Sequence, residues 1–158
     1  MFTITSLDVS NDGKQVAVCG TGKKCLFVDT NRFGKKISEV ETVKEISQCV
    51  KFNPSNKRLL VSFCTGGFSV IDTSNLQEPK VLLSNSYNNL IESSFDLRFL
   101  SDDEFFIGDS DGFIRKYRFD DTSFTPLAEV FCHYQAVKTL ELIPSKSLIV
   151  TGCRVVTE

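Results

Sequence analysis

The sequence predicts an all-β fold, a β-propeller of four-stranded antiparallel blades, with about three and a half blades present in 158 residues. Three observations predict it. Apolar residues at Val9, Phe52, Phe99 and Leu142 recur at spacings of 43, 47 and 43. A second set, Val16, Leu59, Phe105 and Leu148, recurs at 43, 46 and 43. Within each unit, short period-2 segments alternate with Gly, Pro, Asn and Asp turns, the grammar of strands joined by tight reversals. Repeats of ~40–45 residues with four strands each have the length of a propeller blade. A sandwich also predicts turns every ~8–12 residues, but not correspondence at this period.

The first strand of each unit alternates over 4–9, 46–52, 94–99 and 137–142. Turn chemistry follows at Asn11-Asp12-Gly13, Pro54-Ser55-Asn56, Ser101-Asp102-Asp103 and Pro144-Ser145-Lys146, residues that supply the φ values a reversal needs. The second strand returns as a nearly continuous apolar run at 16–19, 59–61, 105–107 and 148–150, as expected of a strand buried on both faces. Third strands are expected at 25–29, 68–72 and 113–117, and more polar fourth strands at 37–43, 80–84 and 127–132. This partition gives approximate blades over 2–43, 44–89 and 90–133, and an incomplete one over 134–158.

The net charge of -2 argues against a dedicated nucleic-acid binder, which is usually strongly basic. Its basic residues fall as pairs in separate turns and strands, such as Lys23-Lys24 and Arg115-Lys116. No stretch approaches the ~18 apolar residues that suggest membrane insertion. The first residues lack the basic start and apolar core of a secretory signal. Six cysteines without a C-x-x-C pair fall mostly in strand positions, where free Cys behaves as a small hydrophobe. An intracellular, reducing location is expected, cytoplasmic or nuclear.

The segment from His133 to Pro144, with Val137 four residues after the histidine and an inner strand ending at proline, resembles a WD40 repeat. Gly108-Asp109-Ser110-Asp111-Gly112 leading into Phe113–Tyr117 is similar to the family's turn between second and third strands. Tyr117 stands where the family usually has tryptophan, a residue this chain lacks. Val28-Asp29, Ile71-Asp72 and Tyr117-Arg118 occupy the place of the dipeptide that names the family. The resemblance implies a buried network of histidine, Asp, hydroxyl and Trp in each repeat. With His133 the sole histidine and no Asp after Cys153, that network is expected to be incomplete. Gly66 to Asn75 is also similar to the LVIVD type of propeller repeat, which has the same architecture.

Candidate chemistry resolves into turns. Gly20-Thr21-Gly22-Lys23-Lys24 fails as a phosphate loop, because Ala17 and Lys24 stand where glycine and a hydroxyl are needed. Asp109-Ser110-Asp111-Gly112 has calcium-loop composition but no carboxylate follows until Asp120. His133 and the cysteines lack the paired spacing of a zinc site, and no turn-held nucleophile accompanies His133. No catalytic residue, cofactor or metal is therefore expected.

The expected function is a non-enzymatic WD40-like scaffold for protein–protein interaction, presenting the inter-blade loops and the second-to-third-strand turns on one face. Lys44, Tyr87, Asp109, Asp111 and Tyr134 are the expected contact residues, because aromatic and charged anchors on such loops dominate binding. The alternatives are a metal-dependent hydrolase or lactonase-like propeller, and a coat or membrane-traffic subunit. The first would need inward carboxylates at blade after blade, whereas the first strands offer Asp8, Lys51, Arg98 and Glu141. Closed propellers carry about four to eight blades. The remainder is expected from a longer chain, with a homodimer completing the ring or another subunit as the other routes.

Overall fold

A computed structural model describes residues 2–32, 34–43, 46–85 and 94–153. Among them the strands form three four-stranded antiparallel sheets and one two-stranded sheet. The first holds β1 (Ile4–Val9), β2 (Gln15–Gly20), β3 (Lys24–Asp29) and β4 (Lys36–Glu41) in that order. The second holds β5 (Ser47–Phe52), β6 (Arg58–Phe63), β7 (Phe68–Asp72) and β8 (Lys80–Asn85). The third holds β9 (Ser94–Phe99), β10 (Glu104–Asp109), β11 (Phe113–Phe119) and β12 (Phe124–Phe131). β13 (Val137–Ile143) and β14 (Leu148–Cys153) make the last pair. β12 starts earlier than the alternation suggests. It accommodates Pro126, opposite Tyr117 across a register shift, because an edge strand tolerates a residue without an N–H.

The two repeat registers are partners across the first hairpin of each sheet: Val9 with Val16, Phe52 with Leu59, and Phe99 with Phe105. The fourth copy departs from the sequence register. Leu142 pairs with Ile149, and Leu148 pairs with Ile143. The step from Leu142 to Ile149 equals those from Val9 to Val16 and from Phe52 to Leu59, and the hairpin from Phe99 to Phe105 is the one that is a residue shorter; the turn of the fourth copy is a 3-10 segment, Pro144–Lys146, followed by Ser147 at φ 51. Because strand side chains alternate faces, this pairing puts Ile149, not Leu148, on the face toward the third sheet.

A bulge recurs near the start of every first strand, with Thr5, Gln48, Phe95 and Lys138 as the extra residues. Such bulges increase local twist and re-aim the strand. Two of these residues meet: the Lys138 ammonium lies 3.0 Å from the Phe95 ring centroid.

Apolar packing joins the sheets in succession. Ala17, Cys25 and Phe27 of the first sheet pack on Phe52, Leu59 and Ile71 of the second. Leu60, Phe68 and Val70 of the second pack on Leu97, Phe105 and Tyr117 of the third. The third junction is smaller, with Ile114 buried against Val137 and Leu140, and Phe106 and Leu142 alongside.

Polar side chains complete each junction by a repeated device. An inner strand has one edge without a strand partner, and its N–H groups need acceptors. Ser6 Oγ accepts from Val50 N–H at 3.2 Å, and Asp8 Oδ2 accepts from Phe52 N–H at 2.8 Å. Asp96 Oδ2 accepts from Leu140 N–H at 2.8 Å. The turns after the first strands are tied in the same direction. Asn11 donates to Asn53 and Pro54 carbonyls, and Ser55 N–H donates to Asp102 Oδ1 at 2.8 Å.

Candidate functional site

The opposite end of the sheets gathers the loops on which contact residues were expected. Thr21 bridges to Ile46, Thr42 N–H donates to Lys23 O, and Cys64 N–H donates to Ile46 O. In the third sheet Cys132 and His133 both donate their N–H groups to Gly112 O. The second-to-third-strand turns therefore lie against the inter-sheet connections. Gly112 permits this contact in two ways. Its φ is +84, and a Cβ there would lie 1.7 Å from the His133 carbonyl oxygen.

The described candidates divide three ways. Tyr134 is 94% exposed on its loop. Asp111 stands in the turn, with Oδ2 2.8 Å from Arg115 Nη2. Asp109 is not on a loop: it is the last residue of β10 and only 1% exposed, so its role is internal. Lys44 and Tyr87 lie outside the described residues.

Arg115 organises this end. Its guanidinium contacts Asp109, Asp111 and Glu129 and stacks 4.7 Å from the Phe113 centroid. Phe113 packs on Phe131 at 5.2 Å, and Phe131 meets Tyr134 edge-on at 5.4 Å. The result is a short aromatic ladder ending at an exposed tyrosine, with an arginine fixed at its base. The strand register produces it: Phe113 lies opposite Phe131, and Arg115 opposite Glu129, on one face of the β11–β12 pair. The sequence reading missed Phe113, Phe131 and Arg115, although the two-residue spacing of Phe113 and Arg115 was a visible sign of a shared face.

Burial pushes the Asp109 carboxyl up to about 7, even though Arg115 favours its ionised form. Asp109 Oδ1 has no hydrogen-bond partner. An unfolded aspartate ionises near its ordinary 3.8, so between that value and about 7 the folded chain holds a proton that the unfolded chain lacks. This contribution to stability is complete at low pH and is lost as pH rises through about 7. Urea denaturation should show wild type losing about 1 kcal/mol from this group between roughly pH 6 and 8. Asp109→Asn should flatten that slope; an unchanged slope would locate the titration elsewhere.

His133 is used structurally. Its Nε2 lies 2.9 Å from Thr151 Oγ1 on β14, linking the loop to the last sheet. This gives the histidine a hydroxyl partner, in a network expected to be incomplete for want of an Asp. Tyr117 is 5% exposed and stacked on Phe105 at 5.7 Å, and burial pushes its phenol up to about 12.

The first-strand positions that a metal-dependent enzyme would use are engaged in ion pairs. Lys51 lies 2.9 Å from Asp8, and Arg98 lies 3.2 Å from Glu141. Among the described residues no group of three or more His, Cys, Asp or Glu side chains is placed to hold a metal ion. Among them also, no helix is long and apolar enough to cross a membrane.

No family model matches the sequence, and no curated protein sequence matches it. The fold does find relatives among solved WD40-repeat structures. Sqt1 from Chaetomium thermophilum, bound to the N-terminus of the ribosomal protein L10, is similar at a TM-score of 0.79 and 19% identity, over 94% of this chain and 40% of that one. The WD40 repeats of RRP9 give 0.73 at 13% identity, over 87% and 41%. U3-55K gives 0.72 at 13% identity, over 87% and 42%. The fold is that of part of a WD40 β-propeller, and the chain spans about two fifths of the length of these relatives.

Proposed function

We propose that this chain is a non-enzymatic interaction scaffold of the WD40 type, acting within a larger propeller or complex. The observation that carries the reading is the pair of apolar sheet faces at the two ends of the arc. Leu7 and Val9 on β1 are 55% and 46% exposed, and Leu148 and Val150 on β14 are 51% and 52% exposed. Equivalent surfaces inside the chain are buried by the next sheet, and exposed patches of this kind mark association sites. The partner is another protein subunit or further blades, with a second copy as the alternative route to a ring. The blade limits remain about 2–43, 44–89, 90–133 and 134–158. All six cysteines are free, which supports an intracellular, reducing location.

On the loop end, Asp111 and Tyr134 serve as anchors with Lys44 and Tyr87, while Asp109 holds Arg115 beneath them. Tyrosine and arginine in a packed cluster have the composition of binding hot spots. A protein segment bound to a propeller of this fold has a parallel in Sqt1 with the N-terminus of L10. Light scattering on the isolated chain tests the open-face argument. Association that Leu7→Glu with Val150→Glu suppresses is expected; a monodisperse wild-type monomer at high concentration would overturn it. Asp111→Ala with Tyr134→Ala should abolish recovery of the partner that wild type captures, with the thermal midpoint unchanged. Equal recovery would refute the loop assignment.

A further inference from the structure

In the second sheet, Arg58 opens β6, Asp72 closes β7 and Lys80 opens β8, and the three stand opposite one another in a cross-strand row. Residues so placed share a face with Cβ atoms about 5 Å apart. The row alternates positive, negative, positive, and Arg58 lies 3.0 Å from Asp72. In the third sheet the equivalent row is Glu104, Arg118 and Thr125. The equivalence follows from Leu59 and Phe105, which come directly after Arg58 and Glu104 and each pair with the residue closing the first strand of their sheet. Here the signs are inverted, and the third position is a neutral hydroxyl. One carboxylate, Glu104, holds two cations, Lys116 at 2.6 Å and Arg118 through Nε at 3.0 Å. Arg118 can therefore turn to another anion while Lys116 keeps Glu104 paired.

The geometry points to Thr125 as a phosphorylation site, read by a proline-directed protein kinase, with Arg118 receiving the phosphate. ATP is the donor. The bond from Thr125 Oγ1 to the γ-phosphorus forms, the bond from that phosphorus to the β,γ-bridging oxygen breaks, ADP leaves, and the hydroxyl proton passes to the kinase's base. Of the four prolines, only Pro126 follows a hydroxyl residue. Thr125 is exposed on the edge strand β12, and among the described residues its hydroxyl has no partner, whereas Thr122 and Ser123 direct theirs to Asp120. The ladder is open just beyond it, because Pro126 brings no N–H and the register shift leaves Leu127 without an opposite residue. Lys80, in the same place on the second sheet, is exposed although the third sheet packs beside it, so a sheet packed on the third would leave Thr125 open too. A phosphate carries about -1.5 to -2 charge at neutral pH and completes the row as negative, positive, negative. The neighbouring acids Asp103 and Asp120 are engaged within their own turns, by Ser101 and by the Thr122 N–H.

This site goes beyond the scaffold reading and does not rest on it. The folded chain is incubated with a purified proline-directed kinase and magnesium ATP, and the product is mapped by tandem mass spectrometry. One phosphoryl group should be found, on Thr125. Thr125→Ala should abolish incorporation, Thr125→Ser should retain it, and Pro126→Ala should slow it at least about tenfold, since the kinase selects its substrate by the residue after the acceptor. Circular dichroism of each variant checks that the sheets persist. Phosphorus NMR then reads the receptor. The phosphate on the folded chain should titrate at lower pH than the same phosphate on a free peptide of residues 123–129, SFTPLAE, because Arg118 favours the dianion. Arg118→Gln should remove that difference while leaving incorporation intact. Incorporation only at other residues, only after denaturation, or at an equal rate in Pro126→Ala would each overturn the site. A phosphate that titrates as in the free peptide, or identically with and without Arg118, would overturn the receptor and with it the completed row.

Discussion

Phe68→Ala should destabilise the chain by about 3–5 kcal/mol, the largest effect of any single truncation in its core. Phe68 is fully buried at the end of β6's partner strand β7 and is shared between two sheets. Its ring packs against Phe105 at 5.2 Å, Tyr117 at 5.3 Å and Phe124 at 4.6 Å, the first and last edge-to-face. Truncation would remove those contacts at once and leave a cavity between β-sheets whose backbones are held by their own ladders. Such a site collapses poorly, and the penalty rises with the void that remains. Since domains of this size are stable by about 5–15 kcal/mol, the second junction should become the first point of opening. Urea denaturation followed by far-UV circular dichroism measures the loss. Phe68→Leu should retain more than half of it, because most of the volume is kept. A loss below about 1 kcal/mol for the alanine variant would mean that the second and third sheets are not packed as described.

Much of this architecture was legible because strand signals are local. Alternation and turn residues mark β1, β5, β9 and β13, and their recurrence identifies the repeat without any long-range information. The places where the sequence misleads are those where the length of a turn or a tertiary contact decides. Leu148 matches the spacing from Phe105, yet the third hairpin is one residue shorter than the other three, and the pairing gives that place to Ile149. Asp109-Ser110-Asp111-Gly112 has the composition of an exposed turn, but β10 extends through Asp109 and buries it against Arg115. Thr151 could not be matched to His133 from sequence, because 18 residues and a hairpin separate them. The aromatic ladder depends on cross-strand register, a relation between β11 and β12 that neither strand carries alone. Loop placement at one end, by contrast, follows directly from the strand order, and the contacts of Gly112 with Cys132 and His133 bear it out.

The third junction has the least apolar material, so its polar anchor carries a larger share of the attachment. That anchor is Asp96. Its Oδ1 accepts from Leu97 N–H at 2.9 Å and from Arg98 at 2.6 Å, with the Cys49 thiol 3.5 Å away. Oδ2 reaches across to Leu140 N–H on β13. One carboxylate therefore ties β5, β9 and β13 together while only 12% of its side chain is exposed. Asp96→Ala should cost about 3 kcal/mol, because it strands the Leu140 amide and removes the nearer of two carboxylate partners of Arg98. Glu141 remains for that guanidinium, which keeps the cost below that of a fully orphaned buried charge. Asp96→Asn retains an acceptor for Leu140 but not the charge for Arg98, and should fall between alanine and wild type. Hydrogen exchange distinguishes this from a general loss of stability. Leu140 and the β14 amides should lose protection in Asp96→Ala before the amides of β6 and β7 do. If all of them lost protection together, the last strand pair would be held by the Val137 and Leu140 packing alone, and Asp96 would be serving its own sheet.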